Sequence, residues 1–169
     1  MTRYNGPMRI LGIDPGIGRM GWGIVDENGS KVKVVAYDCL ETSKDLSTPE
    51  RLQLVYETVK KLFETYHPDA LSIEELFFNT NVTTAMTVGQ ARGVVLLAAA
   101  QADVSIGVYT PLQVKVALTG YGRAEKSQIG QMVKTVLGLE KIPKPDDTAD
   151  ALAIALTHVF SRKITSIRK

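Results

Sequence analysis

The stretch ILGIDPGIGRMGWGIV, residues 10–25, holds a single acid, Asp14, among apolar residues and glycines. Asp14 ends a short run of β-forming residues, Met8 to Ile13, and is followed by Pro15-Gly16, a bend signal. A carboxylate at the end of a buried strand is costly unless a cation neutralises it. Two readings are open at this point. Asp-Pro-Gly is a common turn sequence, so Asp14 can serve as a turn cap; alternatively, partner carboxylates join it around a cation.

Working outward, the first third reads as three strands, Arg9 to Asp14, Met20 to Asp26 and Lys31 to Leu40. Asn28-Gly29 supplies the positive φ angles of a tight hairpin between the second and third. Ser47-Thr48-Pro49-Glu50 is a helix start with a capping box and Pro near the first position. Leu52, Val55, Val59, Leu62, Phe63 and Tyr66 then recur at helical spacing until His67-Pro68-Asp69 stops the helix. Ala70 to Leu76 predicts a fourth strand, Val82 to Ala102 a long helix, and Ser105 to Tyr109 a fifth strand. The long helix is rich in Ala and Gly with little polar surface, so it packs inside the domain or against a partner subunit. Leu112 to Leu118, Lys126 to Leu137 and Asp147 to Arg162 predict three further helical segments. The order βββαβαβα is an α/β fold: an antiparallel meander, then right-handed crossovers. Sites in such sheets form beyond the carboxyl ends of strands.

The 169 residues fit one domain, 8–162, with a polar N-terminal extension at 1–7 and a basic tail at 163–169. The formal net charge of +2 hides an asymmetry. Residues 41–75 carry eight acids against four bases, whereas 113–144 carry six bases against two acids. Clustered bases beside clustered acids suit an anionic substrate brought to a metal site. The lone Cys39 cannot form an internal disulfide, which fits a reducing cytoplasm. The longest apolar run, Val94 to Ala100, is short for a bilayer span.

Other acids offer partners for Asp14. Glu74 and Glu75 end the fourth strand, and alternation lets only one of them share a face with Asp14. In KPDDTADALAIAL, Asp147 and Asp150 stack at i, i+3, and Asp146 and Asp150 at i, i+4, so spacing leaves both pairs open. Asp146 is also placed as an N-cap. Asp150 begins an apolar run, Ala151 to Leu156, and there needs a partner. Several carboxylates without His or Cys ligands favour a hard cation, Mg²⁺ or Mn²⁺. Two such ions suit in-line attack on a phosphodiester. His67 and His158 do not read as a site, and no constellation supports a Ser or Cys nucleophile.

GIDPG, IEELFF, GQARGV, QVK, AEKSQ and DTADALAIA follow one another as in the RuvC Holliday-junction endonucleases, which residues 8–161 resemble. That resemblance implies a ribonuclease H-like fold with a five-stranded mixed sheet flanked by helices. It implies a homodimer making paired, symmetric nicks in strands of like polarity, leaving 5′-phosphate and 3′-hydroxyl ends, in recombination and repair. By motif, Asp14, Glu74, Asp147 and Asp150 match the family's metal-binding acids, holding two Mg²⁺ or Mn²⁺; Glu75 and Asp146 fall beside them as reserve ligands. Phe77 matches an aromatic that stacks on bases, and Phe78 extends that tip. Lys115 and Lys126 match DNA-binding lysines, and Arg123 joins them as a DNA-binding candidate. RuvA and RuvB are the implied partners. A ribonuclease H relative acting on another structured nucleic acid, a phosphotransferase of the actin and sugar-kinase type (two-lobed enzymes, where this chain has room for one lobe) and a non-catalytic junction binder are the competing readings.

Overall fold

The structure, a computed structural model, describes residues 7–76 and 82–167, with side chains as far as Arg162. Phe77 and Phe78 therefore lie outside the described residues. Five strands, β1 (Met8–Asp14), β2 (Arg19–Asn28), β3 (Lys31–Glu41), β4 (Ala70–Glu74) and β5 (Ser105–Tyr109), lie in the order β3-β2-β1-β4-β5. The first three form an antiparallel meander, and β4 and β5 join it parallel to β1. Gly29, at φ +61°, makes the β2–β3 turn that Asn-Gly predicts. This is the five-stranded mixed sheet of the ribonuclease H-like class.

The helices are α1 (Thr48–Tyr66), α2 (Val82–Gln101), α3 (Pro111–Thr119), α4 (Lys126–Leu137) and α5 (Asp146–Ile167). At the start of α1 the Glu50 carboxylate accepts from the Ser47 amide at 2.8 Å and its hydroxyl at 2.6 Å, within the capping box that the sequence predicts. Strand alternation splits the apolar residues between two cores. Leu11, Ile13, Ile24, Leu71 and Ile73 are buried against α1 and α2, while Ile10 and Ala70 face α5, with α3 and α4 behind it.

What lets α5 lie so close to the sheet is a row of small residues across four strands. Gly23, Gly12, Ser72 and Gly107 are neighbours in register. A Cβ on Gly12 would collide with the Ala151 carbonyl, and one on Gly107 with the His158 ring. The buried Ser72 hydroxyl donates to the Ile154 carbonyl at 2.7 Å, fixing the helix on this seat.

Several boundaries differ from expectation. β4 stops at Glu74, two residues early. Asp146 is not an N-cap but the first residue of α5, because the chain has already turned at Pro145, whose carbonyl accepts from the Thr148 amide at 3.0 Å. Its carboxylate instead pairs with Lys144 at 2.6 Å. α5 continues past Arg162 to Ile167. α2 is long and apolar enough to cross a membrane by length and composition alone. It nonetheless packs Ala91, Val95, Ala98 and Ala99 into the core, and leaves Val82, Met86 and Leu97 exposed within the single chain.

Candidate active site

β1 and β4 run parallel with Ile13 beside Ile73, so Asp14 and Glu74, one residue further, leave the sheet side by side at their carboxyl ends. Both lie two residues beyond the Gly12–Ser72 row and therefore point to the α5 face. Across from Asp14 on β2 stands Gly21. The backbone of Asp147 lies directly over it: a Cβ on Gly21 would collide with the Asp147 carbonyl and stand 2.8 Å from the Thr148 nitrogen. The first turn of α5 is thereby pressed against the end of β1, bringing Asp147 and Asp150 to Asp14.

The electrostatics register this crowding. Burial, followed by the charges of Asp150, Asp147 and Glu74, pushes the Asp14 carboxyl up to about 7, with Lys126 opposing. Burial and the Asp150 charge also raise Glu74, and burial raises Asp150 against the pull of Lys126. Asp14, Glu74 and Asp150 line a pocket of about 230 Å³ together with Lys115 and Lys126. Asp147 is half-buried and does not line the pocket. Lys115 comes from α3, and Lys126 is the first residue of α4, its ammonium 2.8 Å from Asp150 Oδ2.

The neighbouring acids are exposed, unlike Asp14, Glu74, Asp147 and Asp150. Glu75 is exposed, its amide donating to the Tyr109 carbonyl at 2.8 Å, and Asp146 is exposed with its carboxyl held low by Lys144. Arg123 is exposed between α3 and α4 and does not line the pocket. Neither histidine is at the acids. His67 caps α1 in the left-handed region at φ 47°, and His158 Nδ1 lies 2.9 Å from the Tyr109 hydroxyl.

Among the described residues, no three His, Cys, Asp or Glu side chains are grouped tightly enough to hold an ion as they stand. The donor set nevertheless fits one. It is all carboxylate oxygen, three of the four groups carry raised affinities for a proton, and among the described residues the Lys126 ammonium alone forms an ion pair with them. Such a set suits a hard divalent cation.

Sequence reasoning missed two kinds of contributor. Gly12 and Gly21 seat α5, and their signal was glycine at interior strand positions, which marks close approach of another backbone. Arg92, the lone charged residue of α2, donates from Nε to the Glu74 carbonyl at 3.2 Å and so steadies the end of β4. Nothing in its spacing announces that contact.

The family model described as crossover junction endodeoxyribonuclease RuvC matches residues 10–158. A RuvC crossover junction endodeoxyribonuclease from Brevibacillus brevis is 56% identical over 160 residues, covering 95% of this chain and 96% of the relative. One from Alkaliphilus metalliredigens is 56% identical over 162 residues, covering 96% and 99%. Among solved structures, Thermus thermophilus RuvC in complex with Holliday junction substrate superposes with a TM-score of 0.89 at 39% identity, covering 94% of this chain and 96% of that one. Matches of this length and identity decide between the competing readings. The chain belongs to the RuvC family of crossover junction endodeoxyribonucleases.

Proposed function

We propose that this chain resolves four-way DNA junctions at the pocket between β1, β4 and α5, with Asp14, Glu74, Asp147 and Asp150 as the metal-holding acids. The observation that supports this most is the buried Asp14 carboxyl, crowded by three other acids at the carboxyl ends of two parallel strands. Asp14 and Glu74 are set by the sheet and Asp147 and Asp150 by the helix. The geometry of the set therefore depends on the seat of α5 on Gly12 and Gly21. Two Mg²⁺ ions, replaceable by Mn²⁺, fit the all-oxygen donors. When bound, divalent ions place positive charge at the scissile phosphate and lower the pKa of an attacking water.

The chain's own bases complete the reaction. Lys115 and Lys126 hold phosphate oxygens at the pocket, with Arg123 extending the basic surface along α4. Phe77 stacks on an exposed base at the crossover, and Phe78 widens that apolar tip. A homodimer built on the exposed Val82, Met86 and Leu97 face of α2 presents one site to each of two strands of like polarity. The products are 5′-phosphate and 3′-hydroxyl ends. RuvA and RuvB are the partners proposed for delivery of the junction, and the reducing cytoplasm the compartment, in keeping with the free Cys39.

Incubating a labelled four-way junction beside a matched linear duplex, with Mg²⁺ or with EDTA, tests this reading. Symmetric nicking of the junction alone is expected with Mg²⁺, lost in EDTA and in Asp147→Asn. Equal cutting of the duplex, or full activity of that variant, would move the site elsewhere. Lys115→Ala is expected to weaken junction binding and reduce its log–log salt slope by about one unit, as one phosphate contact requires. An unchanged slope would remove Lys115 from the DNA surface.

A further inference from the structure

We propose that Lys126 is a resident counter-ion of the acid cluster, competing with the divalent metal in the free protein and leaving for the DNA backbone when the site is loaded. This rests on the reading of Asp14, Glu74, Asp147 and Asp150 as the metal-holding acids, and adds an ordering of events to it.

Four observations point to Lys126. Its Nζ lies 2.8 Å from Asp150 Oδ2, an ion pair within the pocket across a 24-residue separation. Its charge is also felt by Asp14 and Glu74, so it serves the cluster and not one partner. The pair is half open to water, with the lysine side chain 62% exposed and Asp150 31%, so the ammonium can withdraw without unpacking the core. Finally, Lys126 is the first residue of α4, where the helix dipole disfavours a cation. Helix chemistry gives no reason for a lysine there; the acids do.

Charge counting gives the direction of the switch. Four carboxylates and one ammonium leave the ionised cluster strongly negative, which draws in divalent cations. Once two divalent ions are present, they neutralise the carboxylates, and the ammonium faces a site with no remaining attraction for it. A phosphodiester anion entering the pocket then offers Lys126 a new partner. Metal loading and DNA binding are thereby coupled through one side chain, each favouring the state that the other needs.

The test is Mn²⁺ binding to the DNA-free protein by calorimetry, with the free ion followed by electron paramagnetic resonance. Lys126→Met is expected to bind Mn²⁺ about tenfold more tightly than wild type, the scale of a typical coupling between linked sites. Lys126→Arg, which keeps the charge, is expected to stay near wild type. In the absence of metal, Lys126→Met should melt at a lower temperature at pH 8, and saturating Mn²⁺ should abolish the difference. Unchanged or weaker Mn²⁺ affinity in Lys126→Met would overturn the counter-ion role. Asp150→Asn is the control on the underlying reading: loss of Mn²⁺ binding is expected. Retention there would show that the acids are not the metal site, a failure distinct from that of the lysine.

Discussion

Asp14→Asn is expected to lower junction cleavage by about three orders of magnitude and, in the same protein, to raise stability at pH 8 in the absence of metal. The first effect follows from removing one anionic ligand, about 4 kcal/mol of transition-state stabilisation on the scale of such losses. The second follows from linkage. Asp14 rises from 3.8 to about 7 on folding, chiefly through burial and then through Asp150, Asp147 and Glu74. Between those values the folded chain holds a proton that the unfolded chain has released. Stability of the metal-free wild type therefore falls as pH rises from about 4 to about 7. A shift of that size corresponds to roughly 4 kcal/mol, from which the cost of accommodating a buried amide, about 1–3 kcal/mol, must be subtracted. A net gain of about 2 kcal/mol for Asp14→Asn at pH 8 is expected in urea titrations; it shrinks as pH falls from about 7 to about 4, and below that, where wild-type Asp14 is neutral in both states, only the cost of the amide remains. Millimolar Mg²⁺ should close the gap by stabilising wild type alone. A variant that is inactive but no more stable than wild type would mean that the Asp14 charge is already compensated within the chain.

That trade-off was half visible in the sequence. The isolated acid at the end of an apolar strand announced a need for a cation, and period-2 and helical spacing located every element that carries a candidate residue. α4 has the bounds that the sequence predicts, Lys126–Leu137, and the structure shows Gly138 closing it in the left-handed region. The choice between Glu74 and Glu75 was not legible, since alternation says that they differ but not which faces α5. β4 had to be in register with β1 before Glu74 fell beside Asp14. Asp146 and Asp147 were ambiguous for the same reason, and the helix start at Pro145, with Lys144 claiming Asp146, separates them. Ion pairs such as Lys126–Asp150 join residues 24 apart and have no local signature. The resemblance to RuvC proteins implies Glu74 over Glu75 and Asp147 over Asp146, and implies nothing about that ion pair, whose origin is tertiary.

Gly21→Ala carries the second large effect, because a single methyl group there meets backbone. The added Cβ would overlap the Asp147 carbonyl and crowd the Thr148 nitrogen at 2.8 Å, atoms that cannot rotate away. The first turn of α5 must lift, and with it Asp147 and Asp150, while Asp14 and Glu74 stay with the sheet. A displacement of this order is enough for a loss of about a hundredfold in cleavage, with a stability cost of about 1–3 kcal/mol as for other overpacked sites. Gly23→Ala is the matched control on the same strand. Its Cβ would meet the Leu152 side chain, which has rotamers to explore, with the Leu152 Cα 3.6 Å away. Gly23→Ala is therefore expected to lose stability while cleaving within a few-fold of wild type at temperatures where it is folded. Single-turnover cleavage of a saturating junction, measured beside urea midpoints for both variants, separates the two. Equal loss of cleavage at equal loss of stability would make the glycines mere packing positions. A hundredfold loss confined to Gly21→Ala would show that the distance between the sheet acids and the helix acids is set by the absence of one side chain opposite Asp14.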